Sequence, residues 1–75
     1  MYHTIEFARD VVIDLERSRR QRLEKTLMRK GSRVQVQVRP YVAEMVEGPV
    51  EMADLFFDDG TSTSAVPFRW FSFVD

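Results

Sequence analysis

The chain contains no cysteine, one histidine, and only three glycines and three prolines. Without cysteine, neither a disulfide framework nor a thiolate metal site can form, which fits a reducing compartment. The lone histidine, His3, lies next to the N-terminus, and no Gly-rich phosphate loop or metal-ligand spacing occurs. No catalytic base, nucleophile, metal or cofactor is therefore expected, and the chain reads as a non-enzyme. Long apolar runs are missing too: nothing approaches the roughly 20 residues of a membrane span. The opening MYHTIEFARD has acids where a signal peptide would place lysines. The expectation is a cytoplasmic, soluble protein that does not engage a membrane.

What remains is an ordinary globular composition, with 44% apolar and 31% charged residues in a chain of 75. That length allows one domain and one core, which buries only about 60 to 65% of the unfolded surface. The formal net charge of −1 conceals a division. Between Arg17 and Arg33 eight bases face the single acid Glu24, a local charge of +7, whereas residues 1–16 sum to −3 and residues 34–75 to −5. Such a division produces local fields that the total does not suggest.

No Gly or Pro interrupts Thr4 to Lys30. Ile5, Ala8, Val11, Val12 and Leu15, then Leu23 and Leu27, recur as one helical face would require, with Thr4 as N-cap and Gly31 as the left-handed stop. This spacing predicts a long N-terminal helix over residues 4–30. After Gly31 the period changes to two: Val34, Val36 and Val38 alternate with Gln35, Gln37 and Arg39, as in a half-buried strand. Gly48-Pro49 and Asp58-Asp59-Gly60 mark reversals, and the aromatic tail Phe68 to Phe73 closes the chain. The expected fold class is α+β, a helix followed by a small, strongly bent antiparallel sheet of four or five strands over residues 32–75.

Two short segments carry a resemblance. Val66-Pro67-Phe68-Arg69-Trp70-Phe71 resembles the closing segment of SH3 domains, where a single 3₁₀ turn leads into the last strand, and Gly31-Ser32-Arg33-Val34-Gln35-Val36 is similar to the first strand of many SH3-like barrels. Together they cover twelve of the 75 residues. The resemblance implies a small barrel, with Pro67 and Trp70 on the face where SH3 domains hold polyproline ligands. The acidic, tyrosine-rich opening segment and the paired tryptophans of peptide-binding members are missing here.

A helix over residues 4–30 would measure about 40 Å, against a diameter of roughly 30 Å for a compact domain of this size. It would overhang its sheet, and pairing with a second copy would bury Leu23 and Leu27. The leading expectation is thus a noncatalytic interaction module that forms a homodimer through the helix. The competing class is nucleic-acid binding: Arg17, Arg19, Arg20, Arg22, Lys25, Arg29 and Lys30 could track phosphates, although charge-rich helices are usually solvated faces. Pro67, Trp70 and Phe71 form a candidate patch for a protein partner. Asp54, Asp58 and Asp59 read better as an acidic hairpin turn than as a cation site, and Thr61 to Ser64 as a polar hairpin arm rather than a nucleophile.

Overall fold

The computed structural model describes residues 1–17 and 24–75. Seven strands run through these residues: β1 (His3–Phe7), β2 (Val11–Leu15), β3 (Glu24–Met28), β4 (Arg33–Met45), β5 (Gly48–Phe57), β6 (Ser62–Pro67) and β7 (Phe71–Phe73). A single 3₁₀ turn, Phe68–Trp70, separates the last two and is the only helical element among the described residues. The domain is therefore all-β rather than α+β, and the long N-terminal helix is not present. Residues 3–7, 11–15 and 24–28 are strands instead.

The physical reason lies in two side chains that the helical pattern left out. On a helical projection Phe7 and Ile13 fall well off the face made by Ile5, Ala8, Val11, Val12 and Leu15. A two-residue period takes in Ile5 and Phe7, then Val11, Ile13 and Leu15. Ile5, Phe7, Val11 and Ile13 are all buried, while Val12 and Asp14 point outward. The β-branched run Val11-Val12-Ile13 also favours a pleated strand over a helix. Ala8, Arg9 and Asp10 bend the chain between the strands with neither Gly nor Pro. Gly31 does adopt the expected positive φ, 87°, but it turns β3 into β4 rather than capping a helix.

Five strands form one antiparallel sheet in the order β6-β5-β4-β1-β7, and β2 and β3 form a separate hairpin. The core is one cluster to which both contribute: Ile5, Phe7, Val11, Ile13, Val36, Ala53, Leu55, Val66 and Phe71. The β2–β3 hairpin thus folds over the sheet and fills its open side. It meets the sheet's β6 edge at one isolated bridge, Glu16 with Ser62.

The 13-residue β4 runs straight through Pro40. Its register with β5 continues from Val36↔Phe57 to Met45↔Gly48, so Pro40 lies opposite Ala53 and Pro49 opposite Glu44. β1 covers β4 only at residues 33–36, and β6 covers β5 only at residues 52–56 together with the Met52↔Pro67 pair. Beyond those limits β4 and β5 continue as a two-stranded ribbon. At the other end, the acidic turn before β6 is closed by Asp59, whose Oδ1 accepts both the Thr61 amide (2.9 Å) and the Thr61 hydroxyl (2.6 Å).

Candidate functional site, a cleft between β2 and β6

At the Glu16–Ser62 bridge the two strands exchange both backbone hydrogen bonds, each 2.9 Å, and then part. Antiparallel continuation would set Asp14 opposite Ser64. A bulge in β6 prevents it. The register passes from Leu55↔Thr63 to Ala53↔Val66, leaving Ser64 and Ala65 together against Asp54. Ala65 takes φ 60°, the one non-glycine residue at positive φ among the described residues. A Cβ there costs on the order of 1 kcal/mol. Asp54 offsets this by accepting the Ala65 amide through Oδ1 at 3.2 Å, while its other oxygen holds Arg39. Those bonds hold the Asp54 carboxyl below the ordinary aspartate value, the Arg39 guanidinium contributing most. Arg39 in turn lies over the Phe56 ring, 5.4 Å from its centroid.

The gap opened by the bulge is a cleft of about 200 Å³. Asp14 and Glu16 form its β2 wall, Ser64 and Ala65 its β6 wall, and Ile13 and Trp70 complete it. Trp70, the only tryptophan, is half-buried, and its Nε1 is buried without a hydrogen-bond partner. An unsatisfied buried donor costs about 1 to 3 kcal/mol. Asp14 also binds Lys25 across the hairpin at 2.9 Å, in an exposed pair. No family model, curated protein or solved structure matches this chain. Function is therefore read from the chemistry of its own surfaces.

The sequence-derived candidates separate in space. Arg19, Arg20, Arg22 and Leu23 lie outside the described residues. Arg17 follows β2, close enough to Asp59 for its charge to help hold that carboxyl low, behind the larger effect of the Thr61 bonds. Lys25 sits within β3, and Arg29 and Lys30 follow that strand, at the opposite end of the ladder from Arg17. The five-residue ladder separates its ends by about 14 Å. The cationic stripe expected on one helix side is thus replaced by bases at both ends of a hairpin, with Lys25 engaged by Asp14 and Arg33 by Glu6 at 3.0 Å.

Leu27 is exposed on β3, directly opposite exposed Val12. Of the aromatic patch, Pro67 and Phe71 are buried and Trp70 lines the cleft. Asp54 and Asp59 are occupied by Arg39 and Thr61 respectively. Asp14, Glu16, Ser64 and Ala65 were not marked as site residues by the sequence reading. Their site depends on the bulge, and nothing in Ser64-Ala65 announces a positive φ. No helix among the described residues is long and apolar enough to cross a membrane.

Proposed function

We propose that this chain is a noncatalytic interaction module on an SH3-like barrel, and that the cleft beside Trp70 takes an extended polypeptide segment. The 3₁₀ turn Phe68–Trp70, lying between Val66-Pro67 and the last strand, supports the barrel assignment. The observation that carries the binding reading is the half-buried ring of Trp70 in the wall of a gap between two strand edges. An aromatic ring in such a wall offers a flat apolar contact to a side chain of a bound segment. Strand edges supply further main-chain groups to an extended peptide, and Asp14 and Glu16 favour a basic side chain within it. A gap near 200 Å³ is smaller than the roughly 300 to 1,000 Å³ usual for small-molecule sites, and suits one or two side chains of a longer segment.

The test is selection from a displayed random-peptide library on immobilised protein, followed by titration of the selected peptides against the emission of Trp70. Peptides enriched in Lys or Arg should shift that emission, and Glu16→Gln should weaken their binding several-fold. Selected peptides that bind Trp70→Phe as tightly as the parent would remove the cleft from the reading. Mixed-sequence oligonucleotides at about 50 and 200 mM salt test the competing class, because phosphate contacts lose most of their affinity over that interval.

A further inference from the structure

The register sorts the side chains of the β4–β5 ribbon onto two faces. Val36, Pro40, Val42 and Glu44 share one face of β4, and Ala53 and Glu51 stand opposite Pro40 and Val42 on β5. Val36 and Ala53 belong to the core, so this is the core-facing side of the sheet. β1 stops covering β4 at Val36, and beyond that limit the same face emerges into solvent, with Pro40 exposed and Val42 58% accessible. There Pro40, Tyr41, Val42 and Glu51, with Phe68 from the 3₁₀ turn, line a groove of about 360 Å³. Strand addition along the ribbon is disfavoured, because Pro40 and Pro49 have no amide to offer at its free edges. Contact is left to the side chains of the face.

The groove is apolar within and acidic around. Residues 40–68 hold six acids, Glu44, Glu47, Glu51, Asp54, Asp58 and Asp59, and no base. Among the described residues neither Glu44 nor Glu51 takes part in an ion pair. The bases that flank this stretch do not neutralise the rim. Arg39 lies on the opposite face of β4 and is held by Asp54, and Arg69, although exposed, is not part of the groove.

An occupant must bring apolar surface to the walls and positive charge to the rim. Arginine and lysine combine both in one side chain, a methylene stem that packs on apolar surface and a cationic head that seeks a carboxylate. Aromatic residues in the lining favour such a cation further. Of the described bases, Lys25, Arg33 and Arg39 are already paired within the chain, which points to a partner protein rather than to a second copy. We propose that the groove binds an arginine or lysine side chain from a basic segment of a partner protein, with Glu51 and Glu44 meeting its cation. This contact does not rest on the peptide reading of the cleft, whose carboxylates are Asp14 and Glu16.

The test is an NMR titration of the isotope-labelled intact chain with an acetylated, amidated peptide of alternating Arg and Ala. The peptide is raised to about 1 mM at about 50 mM salt and again at about 500 mM. The amides of Tyr41, Val42, Glu44 and Glu51 should shift along one saturating curve that weakens at the higher salt. The same peptide with Gln in place of Arg should leave them unmoved. Glu44→Gln with Glu51→Gln should weaken the curve about fivefold, as the loss of two partly exposed charge pairs would, while any shifts at Asp14, Glu16 and Ser64 stay as in the wild type. Both positions are exposed, and the spectrum of the variant itself reports whether it is folded. Shifts at the groove without shifts at the cleft support this proposal and count against the peptide reading of the cleft. Shifts confined to Asp14, Glu16 and Ser64 overturn the proposal and leave that reading standing. An equal response to the Gln peptide overturns it by making the groove a site for apolar ligands. Groove shifts that follow protein concentration without any peptide overturn it in favour of a second copy, and no shift at either site overturns it outright.

Discussion

Asp54 divides one carboxylate between two strands: it holds Arg39 of β4 and fixes the Ala65 amide of the β6 bulge. Its side chain is only 13% accessible, whereas Arg39 is 69% accessible, so solvent screens the ion pair from one side. Replacing Asp54 by Asn keeps an acceptor for Ala65 and loses the charge-assisted bond, at an expected cost of about 1 kcal/mol; Asp54→Ala also strands the Ala65 amide and should cost about 2. The pH dependence has a definite sign. Because the folded carboxyl lies below its ordinary 3.8, its contribution is complete above that value and is lost as pH falls through the lower folded value. The stability gap between wild type and Asp54→Asn in urea melts should therefore be present near neutrality and shrink as pH falls below 3.8. A gap that is unchanged in acid would place the role of Asp54 elsewhere. Trp70 makes the opposite case. Phe lacks the N–H and has a smaller ring, so Trp70→Phe removes a buried donor that has no partner and should change stability by no more than about 1 kcal/mol while weakening peptide binding at the cleft. Thermal melts and peptide titration read these two effects separately.

Among the elements, the C-terminal part of the fold was the legible part. Val34, Val36 and Val38 alternate within β4, and Asp58 to Gly60 precede β6 as turn chemistry requires. Residues 4–30 misled because Ile5, Val11, Val12 and Leu15 satisfy a helical spacing and no Gly or Pro breaks the run. The two-residue period is equally present once Phe7 and Ile13 are included, and burial of both decides between them. The bend at residues 8–10 has no sequence punctuation; its bonds come from across the fold, Ala8 donating to Trp70 and Asp10 accepting from the Lys30 amide. The cleft was illegible for the same reason, since a bulge is a property of two paired strands rather than of one. The ribbon's faces were hidden because a proline usually ends a strand, whereas β4 runs on through Pro40 to Met45. Stability should differ along these elements. Amides of residues 42–50, in a ribbon with two unpaired edges, should exchange with solvent faster than those of Ile5, Val36 and Leu55. Gly48 has φ 124° with open space around it, so Gly48→Ala costs backbone strain alone, about 1 to 2 kcal/mol, and should accelerate exchange in the ribbon while leaving β1 protected.

For the molecule as a whole, the decisive quantity is where the charge sits once the helix is replaced by a hairpin. Among the described residues the bases of the +7 block do not sit together. In the fold Lys25 is matched by Asp14 and Arg33 by Glu6, Arg17 lies near Asp59, and Arg29 and Lys30 are at the far end of the β2–β3 ladder. A polyanion approaching either end also meets the field of the acidic ribbon, with Glu44, Glu47 and Glu51, and of Asp58 and Asp59. Screening shortens those fields to about 8 to 10 Å at physiological salt, yet the molecule measures only 33 × 30 × 25 Å, so no face lies many screening lengths from an acid. Strong phosphate-backbone binding needs several bases acting together, since each neutralised phosphate contributes about one unit to the salt slope. Dispersed and partly paired bases supply few. The expected anisotropy result is accordingly no binding of mixed-sequence RNA or DNA at about 200 mM salt, and at most a shallow salt dependence below it. A slope of several units would instead show the bases of residues 17–30 acting together, and would transfer the function from the cleft to that basic segment. Lys25→Ala sharpens the distinction: under phosphate binding it lowers the slope by about one, whereas under the module reading it leaves oligonucleotide behaviour unchanged and frees Asp14 for a basic peptide side chain.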